Sequence, residues 1–335
     1  MVFRPTYSDI ARLAEVGTAT VERVLNGRGN VRPEKVEQVL RAARALRYPR
    51  LLPEVHHGII RVEVVLVRPD TGFYERLARQ FERIAASLDS SIAIHRTFVD
   101  ELAPEVIARQ ILKSGLRRSA LIISAPIHPK ITEALERVQA SGQPVIQVVS
   151  RSAGPNADFV GIDNYLAGRT AAMFMSRMQR ASGKVVVVAH SQAYGAHRDR
   201  VRGFSDYFRE NPNDALVFTH VVFGRDEHVR SASLLQECFR VWPDIVGVYN
   251  SGGANPAVIS VIEKQKTWRD IFFVGHELTP ITRAALRSGR MEMVIDQSPE
   301  AQARRSIDLV LARLGWIGNV DNFPIPFVTY TAENV

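Results

Sequence analysis

A short stretch near the N-terminus, residues 18–23, combines small polar side chains with an arginine at helical spacing. Thr18, Ala19 and Thr20 come first, and Arg23 follows about one turn later. Such side chains at the start of a helix are suited to the major groove, because they are short enough to approach base edges and because arginine can donate two hydrogen bonds to guanine. The stretch therefore predicts base reading, with Arg23 at a guanine edge or a phosphate. A three-helix structural subdomain without DNA affinity is the alternative interpretation.

Three short helices are predicted to position this stretch. Thr6 or Ser8 is suited to capping the first helix, and the second is expected over Thr18 to Leu25, after a break at Val16-Gly17. The Asn- and Gly-rich residues 26–30 end the second helix. A third helix begins near Pro33, a residue favoured at the first helical position. Its apolar residues form a single stripe: Val36, Val39, Leu40, Ala43 and Leu46.

The charge of the chain is concentrated in the same region. The formal net charge of the 335 residues is +8, and residues 1–50 contain ten basic and five acidic side chains, a net charge of +5. This distribution favours a polyanionic partner at the N-terminus. The single cysteine, Cys238, excludes an internal disulfide and is typical of a reducing compartment. The N-terminus has no apolar signal-peptide stretch, and no run of 18 apolar residues occurs, so a cytoplasmic protein without a membrane partner is expected.

The ordered matches in residues 6–26 resemble the DNA-binding headpiece of lactose-repressor (LacI) family regulators. The resemblance implies that Thr18, Ala19 and Arg23 read bases and that Ser8, Thr20, Asn26 and Asn30 contact the DNA backbone or adjacent sites. Two residues depart from the family pattern, since Glu22 and Gly17 both stand where serine is usual. The matching positions are Thr6, Asp9, Ile10, Ala11, Ala14, Val16, Thr20, Val21, Arg23, Val24, Leu25 and Asn26.

Residues 49–58 are predicted to be a linker between this headpiece (residues 1–48) and the rest of the chain. They contain two prolines and a glycine, and they lack the Asn, Ala and Arg of the hinge helix that the family usually inserts into the minor groove. Leu51 or Leu52 acts as the minor-groove wedge in one interpretation. In the other, these leucines cover the headpiece core and no hinge helix forms.

From residue 59 onward, short apolar strands alternate with amphipathic helices, which predicts parallel sheets covered by helices. About 270 residues exceed what one doubly wound sheet needs, so we expect an α/β fold of two such subdomains with a ligand cleft between them. The N-subdomain is expected at about 59–162 and 291–320. The C-subdomain is expected at about 163–290 and 321–335.

Polar and aromatic residues that follow the predicted strands are the candidate ligand-binding residues, because strand carboxyl ends meet at one edge of a parallel sheet. Segments 160–169, 197–204 and 273–278 resemble the sugar-binding sensor half of LacI-family regulators. Alternative interpretations are that Phe73 and Tyr74 only pack a helix, that Arg198 is a surface arginine, and that Asn250 begins a turn. The candidates are Asp70, Phe73, Tyr74, Ser124, His128, Arg151, Gln192, Tyr194, Arg198, Asn250, Glu277 and Gln297.

Catalytic and metal sites find little support in the sequence. His56-His57 lacks companion ligands, the other histidines are dispersed, and no Cys/His spacing fits zinc. We therefore expect no enzyme activity, metal or cofactor. The expected protein is a transcriptional regulator, a repressor whose operator binding is controlled by a small mono- or disaccharide. A homodimer would bind a palindromic double-stranded operator. A transport binding protein and an α/β enzyme are the other two hypotheses.

Overall fold

A computed structural model of the chain describes residues 5–26, 31–46, 48, 59–67, 71–113, 118–152 and 157–335. Within these ranges, no helix combines the length and the apolar composition needed to cross a bilayer. The predicted linker at 49–58 lies outside them, as do Asn30 and Asp70. Whether a hinge helix forms is therefore left as a prediction.

The headpiece contains the three predicted helices: α1 (Tyr7–Leu13), α2 (Thr18–Leu25) and α3 (Pro33–Ala45). Thr6, not Ser8, caps α1, since its side chain accepts from the backbone N–H of Asp9 while Asp9 accepts from Thr6 in return. Such a reciprocal pair satisfies two N–H groups that have no partner within the helix. The apolar faces of the three helices form one core that includes Ile10, Val21, Val24, Val39 and Leu40.

The first subdomain is built on a five-stranded sheet in the order β2-β1-β3-β4-β5. The pairs β1–β3, β3–β4 and β4–β5 are parallel. β3 and β4 are apolar and buried along their whole length, apart from the buried Gln147, as is usual for strands covered on both faces. The strands are β1 (Ile60–Val67), β2 (Ile92–Val99), β3 (Ala120–Ile123), β4 (Val145–Val148) and β5 (Asp158–Val160). The first three helices of this subdomain are α4 (Gly72–Ser87), α5 (Pro104–Leu112) and α6 (Pro129–Ala140).

The second subdomain is built on a six-stranded sheet in the order β11-β10-β9-β8-β6-β7. All its pairs are parallel except β10–β11. The strands are β6 (Gly183–Ala189), β7 (Leu216–Phe223), β8 (Ile245–Asn250), β9 (Phe272–His276), β10 (Met293–Asp296) and β11 (Val328–Tyr330). The helices are α7 (Asn164–Met178), α8 (Gly195–Glu210), α9 (His228–Val241), α10 (Asn255–Ile262) and α11 (Pro280–Arg287). Cys238 is buried in the apolar core of this subdomain.

One predicted subdomain boundary is wrong. Residues 291–296 were expected in the first subdomain, but β10 pairs with β9 in the second sheet, with Val294 opposite Gly275. The chain returns to the first subdomain only after β10, where α12 (Pro299–Arg313) packs against α4, β4 and β5. The physical reason is that β10 is buried along its length and has a partner strand on each side, so it is held in the second sheet.

A buried ion pair joins β1 to the segment that precedes β3. Arg118 donates to Glu63 at 2.7 Å, and their side chains are 6% and 2% exposed. Gln110 and Thr97 also donate to the Glu63 carboxylate. Because a charge left alone in the interior is costly, each partner makes the burial of the other tolerable.

We expect Arg118→Met to destabilise the protein by about 3–5 kcal/mol, because it leaves the Glu63 carboxylate buried without a cation. The matched control is Arg79→Met, which removes the exposed Arg79–Glu75 pair and should cost about 1 kcal/mol or less. Urea unfolding of the two variants and the parent measures both effects. Similar losses for the two variants would contradict the proposed role of the buried pair.

Candidate functional site

A cavity of about 730 Å³ lies between the two subdomains. Its wall is formed by residues that follow the strands of both sheets, because parallel strands bring their carboxyl ends to one edge. The first subdomain contributes the start of α4 and the residues after β4. The second contributes the residues after β6, β7, β8, β9 and β10. The wall residues used below are Phe73, Tyr74, Arg76, Ser150, His190, Tyr194, His197, Arg200, His276, Glu277 and Gln297.

Arg200, on α8, is the buried cation of this site, with 3% of the residue exposed. Its guanidinium donates to Asn164 Oδ1 and to the Ser251 carbonyl, both at 2.8 Å, and to Gln297 Oε1. All three acceptors are neutral, and burial lowers the pKa of Arg200 below its ordinary value. A guanidinium has five N–H donors, and these three hydrogen bonds use three of them.

Two glycines allow α7 and α8 to approach closely enough for these hydrogen bonds. A Cβ at Gly168 would lie 2.0 Å from the Arg200 carbonyl oxygen, and one at Gly203 would lie 2.0 Å from the Tyr165 carbonyl oxygen. No side chain fits at either position. The close crossing brings Arg200 to Asn164, which is the first residue of α7.

Glu277 is the buried carboxylate of the site, and its backbone has a positive φ of 71°. Gln297 Nε2 donates to its Oε1, and Arg76 Nη1 lies 3.5 Å from its Oε2. Burial, together with the neighbouring Asp296 carboxylate, raises the pKa of Glu277 to about 8. Near neutral pH, this side chain therefore exists in part as a neutral acid that can donate as well as accept.

Arg76 on α4 contacts the end of β10 and the start of α12. It donates to Asp296 and, at 2.8 Å, to Glu300. Although burial opposes the charge, the hydrogen bonds and charges of these carboxylates keep the pKa of Arg76 above its ordinary value. Its charge is thus balanced by two acids, whereas the hydrogen bonds of Arg200 go to neutral groups.

Histidines that the sequence analysis described as dispersed are brought together at this cavity. His190, His197, His228 and His276 all lie on its wall. The His276 Nε2 atom is 2.8 Å from the Tyr249 hydroxyl, and burial holds the pKa of His276 well below its ordinary value. Burial also raises the pKa of Tyr249. The Tyr249–His276 pair is therefore neutral.

Across the described ranges, no group of three or more His, Cys, Asp or Glu side chains is arranged to hold a metal ion.

Several buried polar atoms at the wall make no hydrogen bond to any residue that the structure describes. They include Ser150 Oγ, His190 Nδ1, His276 Nδ1 and Glu277 Oε2. A buried polar atom without a partner costs about 1–3 kcal/mol, and a bound molecule that supplies the missing partner removes this cost. Together with the N–H groups of Arg200, they offer both donors and acceptors to a polar ligand.

The structure brings five of the twelve ligand-binding candidates to the cavity wall: Phe73, Tyr74, Tyr194, Glu277 and Gln297. Ser124 is buried and pairs with the Tyr74 hydroxyl at 2.7 Å, so it supports a wall residue. Asp70 lies outside the described residues. The remaining five candidates, His128, Arg151, Gln192, Arg198 and Asn250, are not among the wall residues.

These five candidates lie away from the cavity wall because they make other contacts or are exposed to solvent. His128 caps α6, and Arg151 lies over the Phe159 ring. Gln192 and Arg198 are exposed. Asn250 is fully buried, but its amide donates to Asn255 and its oxygen accepts from Gly252 N–H, so it holds the β8–α10 turn.

Sequence reasoning missed Arg200, Arg76, His190 and His276. Arg198, Arg200 and Arg202 lie on one helix, and only the close contact at Gly168 and Gly203 decides which of them is buried. The pair of glycines was therefore a usable signal. His190 and His276 end or follow buried strands, which is the criterion that selected the other candidates.

In the headpiece, the predicted DNA-contacting side chains lie on the solvent side of the helices. Ser8, Thr18, Ala19, Arg23 and Asn26 are exposed, and Thr20 is half-buried. Val21 and Val24 are buried on the opposite face of α2, so the exposed face is free to enter a groove. Asn30 lies outside the described residues.

Comparison with known proteins matches both parts of the chain. Residues 6–50 match the family described as bacterial regulatory proteins, lacI family, and residues 63–316 match the periplasmic binding protein domain. A ribose operon repressor of Halalkalibacterium halodurans is 24% identical over 250 residues, 73% of this chain and 71% of that protein. The HTH-type transcriptional regulator DegA of Bacillus subtilis is 22% identical over 84% of each chain.

A solved structure has the same fold as the two subdomains. It is a solute binding protein of an ABC transporter from Burkholderia graminis, in complex with D-arabinose, with a TM-score of 0.72 and 18% identity. The similarity covers 83% of this chain and 96% of that protein.

We expect Glu277→Gln to flatten the dependence of stability on pH. The folded-state pKa of about 8 lies above the ordinary value of 4.5, so between these values the folded protein retains a proton that the unfolded chain releases. The contribution of Glu277 to the free energy of unfolding is therefore fully present below about pH 4.5, and it is lost as the pH rises through about 8. Glu292, whose pKa burial raises to about 7, leaves part of the slope in the variant.

Urea unfolding of the parent, Glu277→Gln and the exposed control Glu75→Gln at about pH 5 and about pH 8 measures this difference. The control should match the parent. An unchanged difference between the two pH values in Glu277→Gln would show that Glu277 is not the titrating group.

A second pair of variants separates the buried arginine from its exposed neighbour. Arg200→Met leaves the acceptors on Asn164, Ser251 and Gln297 buried without donors, so we expect a loss of about 3 kcal/mol or more. Arg198→Met, on the same helix, should change the free energy of unfolding by about 0.5 kcal/mol or less. Equal losses in urea unfolding would contradict the assignment.

Proposed function

The chain belongs to the periplasmic binding protein family and carries the DNA-binding region of the bacterial lacI regulatory proteins, and on this premise we propose that it is a ligand-controlled transcriptional repressor. The headpiece binds the DNA, and the cavity between the subdomains binds a small carbohydrate. The observation that carries the ligand part of the proposal is the set of buried polar atoms at the wall that make no hydrogen bond to any described residue.

A carbohydrate suits these atoms because each sugar hydroxyl can donate one hydrogen bond and accept others. The wall offers acceptors, such as the Glu277 carboxyl oxygens, and donors, such as the guanidinium N–H groups of Arg200. It also offers aromatic surface, since Phe73 and Tyr74 pack edge to face with ring centres 5.2 Å apart. Apolar C–H faces of a sugar pack well against such rings. A mono- or disaccharide fits the volume of about 730 Å³.

The exposed face of α2 supports the DNA part of the proposal. Arg23 and Ala19 are four residues apart and therefore lie on one side of the helix, opposite the buried Val21 and Val24. The net charge of +5 in residues 1–50 supplies attraction to phosphates that does not depend on base sequence. Base specificity then comes from Thr18, Ala19 and Arg23, with Ser8, Thr20, Asn26 and Asn30 at or beside the backbone.

In the proposed mechanism, ligand binding shifts the chain between states with different affinity for DNA. A sugar that contacts both subdomains stabilises the arrangement in which they close on it, and linkage then changes operator affinity. A homodimer places two headpieces on the halves of a palindromic operator. The protein acts in the cytoplasm and catalyses no reaction. The similarity to a ribose operon repressor supports repression of transcription as the result of DNA binding.

The test begins with an operator selected from random duplex DNA by the parent protein, whose affinity is then measured at one fixed salt concentration. We expect at least one of D-ribose, D-arabinose and D-allose to raise the melting temperature and to change operator affinity. We expect Arg23→Ala to weaken operator binding about tenfold or more, since a good base contact is worth about 1–3 kcal/mol. It should bind the same sugar as the parent.

Arg109→Ala is the matched control, because it removes an exposed arginine on α5 outside the headpiece. It should bind DNA and sugar like the parent. Intact operator affinity in Arg23→Ala would overturn the groove assignment. The absence of any sugar effect on melting temperature and operator affinity would overturn the ligand class.

A further inference from the structure

A hydrogen-bonded triad connects the two subdomains beside the cavity. Glu101 lies in the first subdomain, between β2 and α5, and its carboxylate reaches two side chains of the second. The His190 Nε2 atom is 3.1 Å from Glu101 Oε2, and the Tyr194 hydroxyl donates to the same oxygen at 2.7 Å. His190 and Tyr194 line the cavity, whereas Glu101 is not among the lining residues.

The carboxylate determines which nitrogen of His190 carries the proton. A carboxylate oxygen accepts, so Nε2 must be the N–H that donates to Glu101. In a neutral imidazole, the other nitrogen is then an acceptor. That nitrogen, Nδ1, is buried without a hydrogen bond to any described residue, and it belongs to a side chain on the cavity wall.

The surroundings restrict the position of His190. The backbone carbonyl of His190 accepts from Arg225 N–H at 2.9 Å, which fixes this residue to the segment after β7. Its ring lies 5.1 Å from the Tyr194 ring and 5.3 Å from the His197 ring. A second bond between the subdomains lies nearby, where Ile127 N–H donates to the Ala193 carbonyl at 2.8 Å. Glu101 therefore reaches a histidine whose position is already restricted.

We propose that His190 is a specificity-determining residue that accepts a hydrogen bond from a ligand hydroxyl, and that Glu101 is its positioning residue from across the cleft. The inference rests on the proposed function and deepens it, since it adds a ligand contact and a cause of coupling. Only when the subdomains are together does Glu101 hold the Nε2–H form of His190. A hydroxyl that binds Nδ1 therefore favours the closed arrangement, and the closed arrangement favours the hydroxyl.

The first test examines the tautomer directly and needs no sugar. Two-bond proton–nitrogen NMR spectra of protein labelled with ¹⁵N-histidine distinguish Nε2–H from Nδ1–H, and His190→Gln identifies the signal. We expect the Nε2–H form in the parent and in the control Glu105→Ala, and a mixture of forms in Glu101→Ala. Glu105 is a suitable control because its ion pair with Lys130 stays within the first subdomain.

Two spectra would overturn the proposal: an Nδ1–H form of His190 in the parent, or the same His190 signal in the parent and in Glu101→Ala. Melting temperatures of both variants check that they are folded. A merely structural role for Glu101 would change the melting temperature without changing the tautomer.

The second test uses D-ribose, D-arabinose and D-allose in calorimetric titrations. For a sugar that binds the parent, we expect about tenfold weaker binding by Glu101→Ala and by His190→Gln and unchanged binding by Glu105→Ala. Equal affinities in the parent and Glu101→Ala would contradict the coupling. If none of the sugars binds, the proposed ligand class fails, whereas the tautomer result still decides the role of Glu101.

Discussion

The buried guanidinium of Arg200 is the interaction on which the ligand site depends. A charge in the interior is tolerated only when it is hydrogen-bonded, and its three acceptors come from the start of α7, the end of β8 and the segment after β10. These segments are far apart in sequence, so each must be in place for the others to be stable. The close crossing of α7 and α8 at Gly168 and Gly203 brings Arg200 to one of these acceptors, Asn164.

From Arg200, a chain of polar contacts runs through Gln297 to Glu277 and on to Arg76, which belongs to the first subdomain. The hydrogen bonds of Arg200 go to neutral groups, and the charge of Arg76 is balanced by Asp296 and Glu300. Neither arginine therefore stabilises the ionised form of Glu277 enough to offset its burial. Its raised pKa of about 8 follows from burial in this setting. The site therefore presents mostly neutral hydrogen-bonding groups, which favours an uncharged, hydroxyl-rich ligand.

Much of the fold was predictable because local physics and the global fold agree there. The headpiece helices have clear caps, breaks and apolar stripes, and α2 begins and ends where the spacing predicted. The alternation of strands and helices predicted two parallel sheets. The subdomain of β10 was not predictable, since its buried residues fit either sheet and only pairing with β9 and β11 decides between them.

The sequence by itself determined the element types, the exposed face of α2 that is proposed to read DNA, and the strand ends that meet at the cavity. Helical periodicity, caps and charge are local properties, and Phe73, Tyr74, Tyr194, Glu277 and Gln297 were found because residues after parallel strands meet at one edge. Only the tertiary structure decided that Arg200 and not Arg198 is buried, that Asn250 holds a turn, and that Glu101 reaches His190 across the cleft. Those outcomes depend on helix crossing and long-range hydrogen bonds, which join residues that no local pattern relates.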